Sequence, residues 1–405
     1  MPVTPVDPRP LDILDGAFYV DDPYSRYAWL REHSPCHWDD INELWVITRY
    51  DDIVAVSKDK ERFVTSDRHH KGGYRPNTPA DASIIGIDDP LHSARRSLVS
   101  RRFTPRAVQR WREHITETVD ELLDPVIERG AAEIVGELAA PLPAKMIGHL
   151  LGFDDHLWPK LKHWSEATIA LGGGPRYRID EGVQAVLDFA VACTELYTHK
   201  LRCPADDLMS RWVETESDGD GSVGGSAFGL DQIVSDCLLL LDGGAETTRT
   251  VIARTLLDLA DRPESWAALK SGADTETAVE EFIRWVTPIH NMCRTATADT
   301  ELGGQTVRKG EQVVMMYPSA NRDPEHFADP EAYDVTRSPN NHIAFGFGTH
   351  FCLGAALARL EIQIFFERLL ARVDRIERIE GTEQIEMPNA FVHGLREAHI
   401  VFIGS

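Results

Sequence analysis

Residues 345–361 read FGFGTHFCLGAALARLE, and no other stretch of the chain restricts its fold as tightly. Gly346 and Gly348 precede Cys352, Gly354 follows it, and the run from Ala355 to Glu361 consists of strong helix formers. The pattern predicts a glycine loop that opens into a helix with a cysteine at its mouth. At that position free backbone N–H groups and the positive end of the helix dipole stabilise a thiolate. The glycines allow a large flat ligand to approach the backbone and leave amide donors free to reach the sulfur. Two plainer readings exist. Cys352 could be a small buried hydrophobe beside a turn. The early glycines could belong to a dinucleotide loop, but the third glycine of that fingerprint is misplaced.

A chain of 405 residues, 42% of them hydrophobic, has ample material for a large core. The net charge of −23 argues against nucleic acid as a partner, because phosphate is repelled over most of such a surface. The six cysteines (Cys36, Cys193, Cys203, Cys237, Cys293, Cys352) include no CxxC pair, so neither a disulfide framework nor a zinc site is indicated. A reducing compartment, the cytoplasm, is expected. The start, MPVTPVDPRPLDILDG, lacks a basic segment followed by an apolar run, and no later run is long enough for a membrane span. Neither a signal peptide nor a membrane anchor is expected.

A long helix is expected over about 231–261, on the order of 45 Å at 1.5 Å per residue. Its middle reads LLLLDGGAETTRT. Two adjacent glycines cost roughly 2 kcal/mol of helix stability relative to alanines, and the threonine pair adds β-branched crowding. Thr247 stands one turn after Gly243, so its hydroxyl can take the Gly243 carbonyl and open a groove in the helix. Glu246 is an acid placed to feed protons inward. Asp242, four residues before Glu246, would put like charges on one face. It is expected to point to solvent, with a second proton route as the alternative. The bland reading of the whole segment is a kinked core helix with a stray polar pair.

The remaining expectations are coarser. A helix over 22–32 leads to a hairpin with strands near 36–38 and 44–48, and a helix over 50–57 precedes a loop over about 66–87 with no helical period. Asp89 and Pro90 open a helix that carries His92 and Arg96 four apart on one face. Helices are expected from Thr104 to near Gly130 and over 141–153. LGGGP at 171–175 reads as a hinge between two helices in the region 155–200. Glu281 and Arg284 can pair at i, i+3. Strands are expected over 293–296 and 312–317.

The spacing of Phe345, Gly348, Cys352 and Gly354 resembles the haem-binding signature of the cytochrome P450 family, and Gly243, Gly244, Glu246 and Thr247 match that family's oxygen-helix motif. The resemblance extends over nearly the whole chain. It implies a mainly α, triangular fold with a small β region, formed by a single domain over 1–405. Within it would lie a substrate loop at 66–87, lid helices at 155–200, an oxygen-binding helix at 231–261 and a haem-thiolate loop at 345–354.

It implies heme b as cofactor, with Cys352 as the iron's thiolate ligand, a ligand type that favours O–O cleavage. Thr247 and Glu246 would deliver protons. Haem contacts would come from His92, Arg96, Gly243, Gly244, Arg294, Phe345, Gly346, His350 and Gly354. Glu281, Arg284 and Arg337 would support the haem domain. The activity implied is monooxygenation of a hydrophobic substrate with O2, and electrons would come from a separate ferredoxin and its reductase. Arg101, Arg102, Arg106 and Arg359 are the candidate docking residues.

NMCRTATADTE, PLPAKMIGHLLG and NAFVHGL look closest to actinobacterial enzymes that hydroxylate the terminal methyl of sterol side chains, with cholesterol or cholest-4-en-3-one as substrate. The candidate pocket wall is Ile84, Ile85, Ile87, Leu238, Leu239, Leu241, Val286, Ile289, Met292 and Val392. Hydroxylation of fatty acids, terpenoids or polyketides is the alternative. A non-catalytic haem-thiolate sensor is the alternative of another class.

Overall fold

A computed structural model describes residues 3–66, 83–218 and 222–404. Helix α1 (Pro23–His33) begins with proline in its first turn, and the Asp22 side chain accepts from the Ser25 N–H. Strands β1 (Cys36–Asp39) and β2 (Leu44–Ile47) form the hairpin, with Cys36 opposite Ile47. The short strand β3 (Phe63–Val64) follows, and α2 (Leu91–Ser100) carries His92 and Arg96. The helix expected from Thr104 starts as two separate turns, Pro105–Val108 and Gln109–Trp111, before α3 (Arg112–Arg129) runs on. It stops at Gly130, whose φ of 82° is a left-handed cap that suits glycine.

Then come α4 (Pro141–Leu151), α5 (Trp158–Ile169) and α6 (Asp180–Lys200). Between the last two, the LGGGP stretch makes the short turns Ala170–Gly173 and Pro175–Tyr177. Helix α7 (Leu230–Ala260) runs unbroken for 31 residues through its glycine pair. After α8 (Thr275–Val286) come strands β4 (Asn291–Ala296) and β5 (Gln312–Met316), and α9 (Ala355–Leu370) follows the cysteine loop.

The largest sheet has the order β1-β2-β5-β4-β3, with β2 and β5 parallel and the other pairs antiparallel. The architecture is mainly helical with small sheets. The main core gathers Ile233, Cys237, Leu241, Ile252 and Leu256 of α7 with apolar faces of the helices around it. Burying these faces drives the assembly, since a fully buried aliphatic side chain contributes about 1.5–3 kcal/mol. No described helix is long and apolar enough to cross a membrane.

Two buried ionic clusters tie the elements that frame the interior. Arg284 donates to both oxygens of Glu281 at 2.7 and 2.8 Å, and Arg337 Nε donates to Glu281 Oε2 at 3.1 Å. On the other side, Arg95 of α2 pairs with Asp236 of α7 at 2.6 Å, and Asp236 Oδ1 accepts from the Ile84 N–H at 2.8 Å. That contact pins the end of the expected loop at 66–87 to the long helix. Residues 67–82 of the loop, with His69 and His70, lie outside the described residues.

Candidate active site

The cysteine loop is shaped by its glycines. Gly346 and Gly348 have φ of 71° and 72°, and a Cβ on Gly348 would collide with the Ser57 carbonyl. The loop closes on itself through the Cys352 N–H, which donates to the Phe345 carbonyl at 2.9 Å. Helix α9 starts three residues later, so the Gly354 and Ala355 amides face the sulfur. Burial pushes the Cys352 thiol up, while those amides and the charges of Arg96 and Arg359 pull it down. Phe345 packs beneath Arg359, whose guanidinium carbon is 4.5 Å from the ring centroid.

Above the loop, Arg96 and Arg294 converge with the imidazoles of His92 and His350, and no carboxylate lies within hydrogen-bond distance of them among the described residues. His92 is buried; its Nδ1 is 3.6 Å from Asp89, beyond hydrogen-bond reach, and Nε2 has no partner among the described residues. Its ring lies 4.2 Å from that of His350. Arg96 donates to the Phe351 carbonyl at 2.6 Å, and Arg294 to the Cys293 carbonyl at 2.7 Å. Burial, with the charges of Arg294, His92 and Arg96, drives His350 down to about 2. Burial and then Arg96 lower His92 as well. Two arginines beside two imidazole donors suit a negatively charged group.

A cavity connects this cluster and Cys352 to the middle of α7. Thr247 Oγ1 donates to the Gly243 carbonyl at 2.7 Å, the contact expected from the sequence. A Cβ on Gly243 would meet nothing within 4 Å, whereas one on Gly244 would press on Ile147 of α4 at 3.2 Å. One glycine therefore leaves space for a ligand and the other permits close helix packing.

The Cytochrome P450 family model matches residues 275–392. A Steroid C26-monooxygenase of Mycolicibacterium smegmatis is 37% identical over 98% of this chain and 96% of its own. One of Mycobacterium tuberculosis is 35% identical over 98% of each. The chain belongs to the cytochrome P450 family. Among solved structures, Bacillus megaterium CYP109E1 in complex with testosterone is similar with a TM-score of 0.85 and 31% identity, over 94% of this chain and 97% of that one. As a cytochrome P450 the protein is a monooxygenase with a haem-iron cofactor, acting on a hydrophobic substrate with O2 and redox partners.

The residues present fit that cofactor. The unpartnered His92 nitrogen, Arg96, Arg294 and His350 could donate to two carboxylates, and Cys352 has its sulfur beside two amides that would stabilise a thiolate. Phe345, Gly346 and Gly354 border the same cavity.

Two acids of this P450 stand differently from expectation. Asp242 does not point to solvent: it lines the cavity and its Oδ1 lies 2.6 Å from Thr168 Oγ1 of α5. Glu246 is off the cavity wall, ion-paired with Arg249 at 2.6 Å and 3.3 Å from Ser165 Oγ. Arg249 is held in turn by Glu166 at 2.9 Å and by the Leu395 carbonyl. Burial raises both acids. The cause of the misplacement is lateral packing. Both acids face α5, whose Thr168 and Ser165 are not readable from α7 alone, whereas the Arg249 that pairs with Glu246 lies one turn on along α7 itself.

Of the expected pocket wall, the structure brings Ile84, Ile85, Leu239, Ile289 and Met292 to the cavity. Ile87, Leu238, Leu241, Val286 and Val392 are not on it. The α7 residues that do line it (Leu239, Leu240, Asp242, Gly243, Gly244, Thr247, Thr248, Val251) follow the helical period, which turns Leu238 and Leu241 to either side. On α8 the wall residue is Ile283, one turn before Val286. Val392 is bridged to Ile289 and fully buried, so its neighbour Phe391 faces the cavity. Alternation along an extended segment makes that one-residue choice. A Cβ on Gly172 would strike the Phe391 ring, so the α5–α6 turn rests on it. Sequence reasoning missed Phe391, Ile283, Ile147 and Ile169; the apolar spacing of Ile283 and Val286 on α8 was the one available signal.

Proposed function

We propose that this cytochrome P450 hydroxylates the terminal methyl of a sterol side chain, with cholesterol or cholest-4-en-3-one as substrate. The observation that carries the reading is the 37% and 35% identity, over 98% of the chain, to two enzymes named Steroid C26-monooxygenase. The apolar wall of Ile84, Ile85, Leu239, Ile289, Met292 and Phe391 supports it, because a long rigid hydrocarbon needs such a lining. Spectral titration tests it. Either sterol should displace water and shift the purified protein from low to high spin. A shift with fatty acids or macrolides and none with sterols would remove the steroid reading and leave the monooxygenase.

The cofactor is heme b, which when bound supplies the activation of O2 for insertion of one oxygen atom into a C–H bond. Cys352 holds its iron, and His92, Arg96, Arg294 and His350 hold its carboxylates. Gly243 and Gly244 shape the groove, and Thr247 Oγ1 holds the proton beside it. Glu246 serves that hydroxyl once its side chain leaves Arg249. Replacing Thr247 with alanine should preserve substrate binding and NAD(P)H consumption while most reducing equivalents emerge as hydrogen peroxide. Product formed in the wild-type ratio to NAD(P)H would exclude Thr247 from proton handling.

Electrons come from a separate ferredoxin and its reductase in the cytoplasm. On this acidic chain, Arg101 and Arg106 are exposed and carry no ion pair among the described residues. Arg102 is paired with Asp206 at 2.6 Å and Arg359 with Glu280 at 2.6 Å, which leaves the first two as the stronger docking candidates. The whole chain works as one catalytic unit.

A further inference from the structure

We infer that Asp242 and Thr168 form a subsite for a hydroxyl group of the substrate, placed partway along an otherwise apolar molecule. The inference rests on the steroid reading for its scaffold and on the geometry of two side chains for its polar group. Asp242 is a carboxyl on a cavity wall that also carries the hydrocarbon side chains of Leu239, Ile169 and Ile147. Burying such a group is costly unless it is hydrogen-bonded. A chain that needed only to hold hydrocarbon here would do better with leucine.

Proton counting determines which partner the subsite takes. Thr168 Oγ1 lies 2.7 Å from the Trp164 carbonyl one turn back and 2.6 Å from Asp242 Oδ1. The hydroxyl has a single proton. The i−4 carbonyl takes it in the usual helical arrangement, so the contact with Asp242 is completed by a proton on the carboxyl. Burial favours this neutral form, and the nearby Glu246 adds to the effect. With its O–H turned to Thr168, the acid presents Oδ2 as an acceptor, and that oxygen has no partner among the described residues. An acceptor is satisfied by an O–H donor and not by a ketone.

The position of the hydroxyl follows from the helix. Asp242 precedes Thr247 by five residues, about 7.5 Å along α7. That is close to the reach of an extended sterol side chain. With the side-chain terminus at the reacting end, the subsite meets the root of the side chain. The preferred substrate is then a sterol hydroxylated near carbons 20 to 22.

Calorimetric titration of the holoenzyme with cholesterol, 22-hydroxycholesterol and 22-ketocholesterol tests this, using wild type, Asp242→Leu and Thr168→Val. Wild type should bind the alcohol at least about tenfold more tightly than either other sterol. Asp242→Leu should lose that preference, and Thr168→Val, which frees the acid from its orienting partner, should narrow it. An equal preference in wild type and Asp242→Leu, or a ketone that binds like the alcohol, overturns the subsite and leaves the steroid reading intact. Dodecan-6-ol and dodecan-6-one separate the two ideas. If no sterol binds but wild type prefers this alcohol to its ketone and Asp242→Leu does not, the subsite stands and the steroid reading falls. No preference in either series overturns the subsite.

Discussion

Cys352→Ala should abolish the red-shifted Soret band that reduced, carbon-monoxide-treated P450 shows, and turnover should fall to background. The sulfur is the one thiolate donor that the loop aims at the cavity, and the Gly354 and Ala355 amides exist in that geometry to hold negative charge on it. Alanine at that position leaves the glycine turns and the start of α9 intact, so the loss would not come from collapse of the loop. Retention of the band in Cys352→Ala would assign the thiolate to another cysteine. Cys293, buried in β4, and Cys237, in the main core, do not line the cavity.

The second large effect concerns stability. Glu281 and Arg284 are both fully buried. The carboxylate of Glu281 also accepts from Arg337, from Asn340 at 3.1 Å and from the Asp334 N–H at 2.8 Å. Arg284 reaches on to the carbonyls of Asn321, Pro330 and Ala332. Glu281→Ala strands a buried guanidinium without its counter-charge, which costs about 3–5 kcal/mol. Against a total stability of about 5–15 kcal/mol, that is enough to unfold much of the population. Denaturant titration should show the loss. Glu281→Gln, which keeps one acceptor oxygen, should lose less. A cost for Glu281→Ala within the ~1 kcal/mol typical of exposed ion pairs would mean that water enters and solvates Arg284.

The same pair illustrates what could be read from sequence. Glu281 and Arg284 lie three apart on one helix, and backbone geometry alone brings them together. Thr247 and Gly243 are likewise one turn apart, and their 2.7 Å hydrogen bond lies within a single helix. The cysteine loop is local too, since left-handed glycines and a helix start three residues after Cys352 set the direction of the amides. The mainly helical class with a small β region was implied by the resemblance to the cytochrome P450 family that these local motifs carry.

Where a side chain's role depends on a second element, sequence reasoning failed or stopped. Asp242 and Glu246 share one face of α7, and α5 meets them differently: with Thr168 at the first, and at the second with Ser165 and with Glu166, which holds the Arg249 that Glu246 pairs with along α7 itself. Phe391 and Val392 are adjacent, and the bridge between Val392 and Ile289 decides which of them faces the cavity. Arg102 and Arg359 read as free cations until Asp206 and Glu280 are placed beside them. The partners on a second element are distant in sequence, from 74 to 104 residues away. Contacts within one turn are imposed by the chain's own geometry, whereas contacts across such separations depend on how whole helices pack, and a local pattern carries no record of that.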